Sequence, residues 1–327
     1  MGTEPGVLGT PGNMIPVPRP RIVSMIASAT EVVDALGQLP YLVGRSHECD
    51  YPEAVKSLPV CTRARIATDA DSREIDRQVK ESSRTSVSIY EVLDDVLAKL
   101  APTHILTQIQ CEVCAVSLRD VEQALARGIP GEPAIVSLQP DSLDRIWEDF
   151  RRVARALAIP QKGEDVVTGL QRRMAALKPP PQAEPPRVAS IEWMEPLMAS
   201  GNWMPELIRM AGGANLFGED GAHSPWLTWD QLREADPDVL IVAPCGFDLE
   251  RTAGEIHWMT ERAGWSDLRA VRGGRVYLAD GNRYFNRPGP RVVETLETLV
   301  EMLHPEFHAP RLRGRSWRVM MGIETWR

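Results

Sequence analysis

Two short segments carry the side chains best suited to soft-metal or redox chemistry: His47-x-Cys49, within the loop Arg45-Ser-His-Glu-Cys-Asp-Tyr-Pro52, and Cys111-x-x-Cys114. A Cys-x-x-Cys spacing suits a dithiol couple or a metal, and with His47 and Cys49 it would supply the four soft ligands of a tetrahedral zinc site or of iron in a cluster. A thiolate at a helix N-terminus would have a lowered pKa, because the helix dipole favours the anion. The competing assignment makes Cys49 and Cys114 small buried hydrophobes, the common fate of a free cysteine. Acid–base and nucleophilic chemistry lack their motifs. There is no Gly-rich phosphate loop, no Gly-x-Ser-x-Gly elbow and no His-Glu-x-x-His helix. Glu31, Glu48 and Glu112 are carboxylates near strand ends with nothing to pair them, so the chain reads as non-enzymatic.

The elements that must position these residues follow from periodicity. Residues 21–26 and 41–44 read as strands, with a hydroxyl-capped helix between them that starts at 28–31 and ends near Gly37. The second strand runs straight into the His47 loop. A further loop carries Thr62 and Arg63, and helices are predicted over 72–81 and 88–100. The strand 103–107 ends in Gln108-Ile-Gln110-Cys111, followed by a helix over 118–127 and a strand over 134–138. Strands that alternate with helices require parallel crossovers, and ligands of open parallel sheets gather beyond the carboxyl ends of the strands, where both polar loops fall.

Residues 142–159 place Leu143, Ile146, Trp147, Phe150, Val153, Ala154 and Leu157 on one helical stripe, capped by Asp141 or Ser142. A second helix over 162–177 ends at a proline-rich stretch, 178–187. Beyond it the strand–turn–helix text repeats, and Trp193, Met198, Trp203, Pro244–Phe247 and Tyr284-Phe285 fall in exit loops. The expected fold is α/β, with two Rossmann-like lobes of parallel sheet joined by a long helical spine. Its divisions are a disordered arm (1–20), an N-terminal lobe (21–159), a spine helix (160–180), a C-terminal lobe (186–304) and a basic tail (305–327) packed loosely through Trp317 and Trp326.

Composition bounds the partners. Thirty-seven basic against forty-five acidic residues give a net charge of −8 with no basic stripe, which argues against nucleic acid. No apolar run reaches the length of a membrane span. Five cysteines are an odd number in a chain too large to need disulfide staples, and the first twenty residues contain no apolar signal region. Together these predict a cytoplasmic, monomeric protein, or a periplasmic one if a leader has been removed.

Several ordered segments resemble a known family. Residues 22–37 (IVSMIASATEVVDALG), Val43-Gly44 with Asp50-Tyr51-Pro52, the strand 103–107, the spine, and residues 210–217, 236–242 and 284–291 are similar to the helical-spine class (class III) of bacterial substrate-binding proteins. Within it they most resemble the cobalamin-binding, BtuF-like group, over about residues 21–306. The resemblance implies two nearly rigid lobes that clamp one large flat ligand. The matching cleft positions are His47, Glu48, Cys49, Thr62, Arg63, Gln110, Cys111, the stretch from Trp193 to Met198, Tyr284 and Phe285, with Trp203 beside them. A corrinoid would meet aromatic and methionine surface with its macrocycle and Gln108, Gln110, Asn282 and Arg287 with its amide fringe. His47 then has a third role, as an axial ligand to cobalt or haem iron, against the simpler one of hydrogen-bonding Asp50 or a carbonyl.

Transport members dock on a permease through an acidic residue on each lobe. The second position here is Ala214, and Glu74 is left to serve on the first lobe, which weighs against docking. The expectation is therefore a non-enzymatic carrier or sensor of cobalamin or a related corrinoid. A haem or siderophore binder of the same fold, or a zinc, iron or redox protein built on His47, Cys49, Cys111 and Cys114, are the alternatives.

Overall fold

The structure, a computed structural model, describes residues 19–85, 88–109, 116, 118–127, 131–180, 184–307 and 309–320. The N-terminal arm (but for residues 19 and 20), Gln110, Cys111 and Cys114 of the expected site, and the Trp326 end of the tail lie outside the described residues.

The first lobe contains, in chain order, β1 (Ile22–Ser24), α1 (Ala27–Ala35), β2 (Leu42–Arg45), β3 (Thr62–Ala64), α2 (Ser72–Thr85), β4 (Tyr90–Val92), α3 (Asp94–Leu100), β5 (His104–Gln108), α4 (Leu118–Ala126) and β6 (Ala134–Leu138). Its sheet runs β2-β1-β5-β6 and is parallel throughout, as the alternation of elements requires. A separate antiparallel ribbon, β3–β4, carries α2 as an insertion between its strands. The pattern predicts a helix over 88–100; instead the chain first forms β4, because Tyr90 and Val92 bury on one face while Glu91 points out to Arg63 across the ribbon.

Two consecutive helices lie at the spine, where the two apolar stripes predict them. Helix α5 (Leu143–Ala156) is capped by Ser142, whose Oγ accepts from the Arg145 N–H. It stops at Ala158, which has φ +57° in the left-handed region, and Pro160 then opens α6 (Pro160–Ala175) at a position where its missing N–H costs nothing. A Cβ on Gly163 would stand 2.6 Å from that of Ala154, so the two helices touch closely.

The second lobe contains β7 (Arg187–Met194), β8 (Leu197–Ala199), α7 (Met204–Met210), β9 (Ala214–Asn215), α8 (Trp229–Ala235), β10 (Val239–Val242), α9 (Leu249–Glu255), α10 (His257–Thr260), α11 (Arg269–Arg272), β11 (Val276–Ala279), α12 (Val292–Leu303) and β12 (Trp317–Val319). Its sheet, β12-β11-β10-β7-β8 with β9 paired to β7, has the expected parallel centre, to which β8 and β12 add antiparallel edges. The tail is correspondingly not loose over 317–319. Trp317 is buried edge-on against Tyr277, and its Nε1–H donates to Glu301 at 2.8 Å.

One apolar cluster runs through both lobes. It joins Ile22 and Val32 of the first to Trp147, Phe150, Val167 and Met174 of the spine and to Leu207, Val293 and Leu299 of the second. Smaller clusters fill the outer face of each sheet. The lobes thus share a close-packed core on the spine side, which restricts their relative motion.

Candidate functional site

The exit loops of β2 and β11 meet between the lobes. Glu31 on α1, with a fully buried side chain, accepts from Arg287 Nη1 at 3.1 Å and from both Nε (2.8 Å) and Nη2 of Arg291. Arg287 also donates to Asp50 and to Asn282 Oδ1, the latter at 2.9 Å. Burial pushes the Asp50 carboxyl up, but the guanidiniums of Arg287, Arg291 and Arg283 outweigh it and hold the group below the usual carboxylate range. Two arginines from the second lobe thereby neutralise two carboxylates of the first in a desolvated junction. The loop that presents Arg287 opens with a π-helical turn over Gly281–Phe285, capped by Asp280, and Gly281 presses so closely on the β10 exit loop that a Cβ would stand 2.0 Å from the Pro244 carbonyl oxygen.

A second junction lies at α2. Glu255 of the second lobe accepts from the backbone N–H of Ser72 at 2.8 Å and from its hydroxyl, capping α2 from across the gap. Arg251 donates to the carbonyls of Thr68 and Ala70 at 2.7 and 2.6 Å. Arg73 lies 4.3 Å over the Trp258 ring, and Ile75 packs on the outer core of the second lobe.

Between these junctions runs the His47 loop. The His47 backbone N–H and Nδ1 lie 3.0 and 2.7 Å from Thr62 Oγ1, whose own proton goes to Ser46 Oγ at 3.1 Å. Burial, then Arg45, lower the His47 pKa. Glu48 accepts from the Tyr90 hydroxyl at 3.1 Å; burial raises its pKa although Tyr90 and Arg287 oppose the rise. Cys49 is 1% exposed, receives the Thr30 hydroxyl at 3.0 Å, and burial pushes its thiol up to about 11. A neutral thiol facing the core is the small-hydrophobe outcome and is unsuited to a metal thiolate. Among the described residues no group of three or more His, Cys, Asp or Glu could hold a metal ion.

The other expected site residues divide. Trp193 is half-buried, edge-on to Phe247, and its Nε1–H reaches the Ser72 carbonyl at 3.3 Å and that of Glu195 at 3.1 Å. Met198 is half-buried opposite Trp193 and bridges to Trp226. Trp203, Tyr284 and Phe285, in contrast, are 6%, 2% and 1% exposed inside the shared core, so they offer no free aromatic face. Arg287 is spent on Glu31 and Asp50, and Arg63 points outward into a two-pronged pair with Glu91 at 2.8 and 3.0 Å. The exposed aromatics at the lobe boundary are Tyr51 and Trp226. Tyr51 is 43% exposed beneath Arg291, and Trp226, 54% exposed, lies 5.3 Å from Lys80 of α2. Tyr51 was visible as part of the polar loop; Trp226 sits outside any periodic segment and gave no sign.

Comparison with protein-family models matches residues 22–282 to the family described as periplasmic binding protein. A vitamin B12-binding protein of Vibrio cholerae is 23% identical over 291 residues, covering 88% of this chain and 90% of that one. Among solved structures, the periplasmic heme-binding protein RhuT from Roseiflexus sp. RS-1 superposes with a TM-score of 0.63 at 25% identity, over 88% of this chain and 99% of that one. The periplasmic vitamin B12-binding protein BtuF of Vibrio cholerae does so with a TM-score of 0.60 at 20% identity, over 89% and 99%. No helix among the described residues is long and apolar enough to cross a membrane.

Proposed function

The chain belongs to the periplasmic binding protein family, in its helical-spine class, and from that premise we propose that it clamps cobalamin or a related corrinoid between its lobes. The family consists of solute-binding proteins, and the reading assigns no reaction to the site. The observation that carries it is the make-up of the lobe boundary. Trp193, Met198, Trp226 and Tyr51 supply flat apolar and polarisable surface beside the fixed donors and acceptors of the Asp50 and Asn282 loops. A broad macrocycle with a polar fringe suits that combination. The vitamin B12-binding relative supports a corrinoid as the cargo.

Haem is the second reading, favoured by the likeness to the heme-binding RhuT. The lobes in this proposal are residues 21–159 and 186–304, linked by 160–180. The family's description is periplasmic, and the cytoplasmic setting expected from the cysteine count finds no support in it. Trp193→Ala and Met198→Ala should each weaken cobalamin binding about tenfold, the loss expected when a buried aromatic or thioether face is truncated. Quenching of tryptophan fluorescence by added cobalamin measures it. Unchanged affinity in both variants would contradict the assigned surface.

A further inference from the structure

Helix α2 and the turns that lead into it belong to the first lobe in sequence and are gripped by the second. The segment is inserted between β3 and β4, so both of its ends are tethered to the ribbon. Its own lobe holds it weakly. Over the 14 residues of α2 the apolar side chains are Ile75 and Val79, and the buried residue is Ser72. Val79 and, ahead of the helix, Ile66 pack on the first lobe's outer cluster, whereas Ile75, one turn before Val79 on the same face, packs on the second lobe's. A helix of this length with so little apolar contact is marginal unless the rest of the fold holds it. The ion pairs of Arg77 with Glu74 and Glu81, and of Lys80 with Asp76, support the helix itself and tie it to neither lobe.

The holding contacts come from α9 and the loops beside it. Glu255, the last residue of α9, accepts from the first-turn N–H and the hydroxyl of Ser72, where the positive end of the α2 dipole favours a carboxylate. Arg251, one turn earlier, takes the carbonyls of Thr68 and Ala70 while lying 3.8 Å over the Phe247 ring. Arg73 is 3.5 Å from Glu195 as well as over Trp258. The segment also borders the surface assigned to the ligand: Trp193 donates to the Ser72 carbonyl, and Lys80 lies over Trp226. The lobes are held together by the shared core and the Glu31 junction, so this segment can leave the second lobe without separating them.

We propose that residues 66–85 form a hinged strap that closes the mouth of the ligand cleft, with Glu255 and Arg251 as its latch. This deepens the macrocycle-clamp reading and rests on it. Release exchanges the latch bonds for water while the helix stays folded on its internal ion pairs. Entry and exit of the ligand therefore wait on the same opening.

The test combines hydrogen exchange of the full chain, read by mass spectrometry, with stopped-flow association and displacement of aquocobalamin and, separately, of hemin. Wild type is compared with the double variant Glu255→Gln, Arg251→Ala. Amides of α2 should exchange well before those of β1, β5 and α5, and about tenfold faster again in the double variant, which lacks the cap and two charge-assisted bonds. The wild-type association rate should level off at high ligand concentration, at the opening rate. The double variant should raise that plateau and the displacement rate by a similar factor, leaving affinity within about threefold of wild type. Glu255→Gln alone, which keeps the side chain's volume, should move the same quantities in the same direction by about threefold. Circular dichroism of each variant checks that it folds. Exchange of α2 in step with the core strands, or rates unmoved in the double variant, overturns the strap and leaves the clamp reading intact. A rise in the displacement rate alone makes Glu255 and Arg251 ligand contacts instead of a latch, and overturns it too. No binding of either macrocycle overturns the clamp reading and the gate with it.

Discussion

The two junctions that cross between the lobes are built from similar residues and differ in what surrounds them. At the Glu31 junction the charges are buried: the side chains of Glu31, Arg287 and Arg291 are 0%, 5% and 9% exposed, and every contact is a charge-assisted hydrogen bond. At the α2 junction Glu255 and Arg251 are closer to solvent and bind mainly backbone groups of residues 68–72. The buried junction cannot open without leaving charges unpaired in a low-dielectric interior, whereas the other exchanges its bonds for water at small loss. The lobes are therefore fixed on the side of Glu31 and the shared core, and the α2 side is where they can part to admit a ligand.

The largest effect should come from breaking the buried junction. Glu31→Ala leaves two guanidiniums without their shared carboxylate and should cost about 3–5 kcal/mol, read as a lower urea midpoint. Next is Gly281→Ala, where the new methyl meets the Pro244 carbonyl and must displace the loop that presents Arg287. It should cost about 1–3 kcal/mol in the same measurement.

Asp149 sharpens the contrast, as a carboxylate 4% exposed that accepts from the Gln139 N–H and has Arg152 at 3.4 Å as its cation. Burial dominates there and raises its pKa to about 7, opposite in direction to Asp50. With a raised folded pKa, the native state holds a proton that the unfolded chain releases, so stability falls as pH rises from about 4 to 7. Asp50, lowered, contributes stability above the unfolded carboxylate pKa that is lost as pH falls through its folded one. Asp149→Asn should flatten the fall between pH 4 and 7 and raise the unfolding free energy at pH 7.5 by about 1–2 kcal/mol, in urea titrations across pH.

The smallest stability effect should be at α2. Glu255→Gln should cost about 1 kcal/mol or less, the value of a helix cap, yet accelerate ligand dissociation in stopped-flow measurements. A Glu255→Gln loss as large as that of Glu31→Ala would erase the distinction between the junctions.

The lobes, the spine and the polar exit loops were legible because helical stripes and strand–turn–helix order are local signals, and so was membership of the helical-spine class. The β3–β4 ribbon was not, since three-residue strands have no period to detect and their pairing spans the whole of α2. Nor was the fate of Tyr284 and Phe285. An aromatic pair in an exit loop reads the same whether it faces a ligand or the core, and here α12 and the π-helical turn draw it inward. The ion cluster was hidden because Glu31 and Arg287 are 256 residues apart, while Cys49 reads alike as a ligand or a hydrophobe until its burial is known.

The central claim is met most directly by calorimetric titration of the purified protein with cobalamin and with hemin. The account predicts one equivalent of cobalamin bound, with hemin weaker. No heat with cobalamin alongside tight hemin binding would replace the corrinoid with haem, and no heat with either would contradict a macrocycle clamp between these lobes.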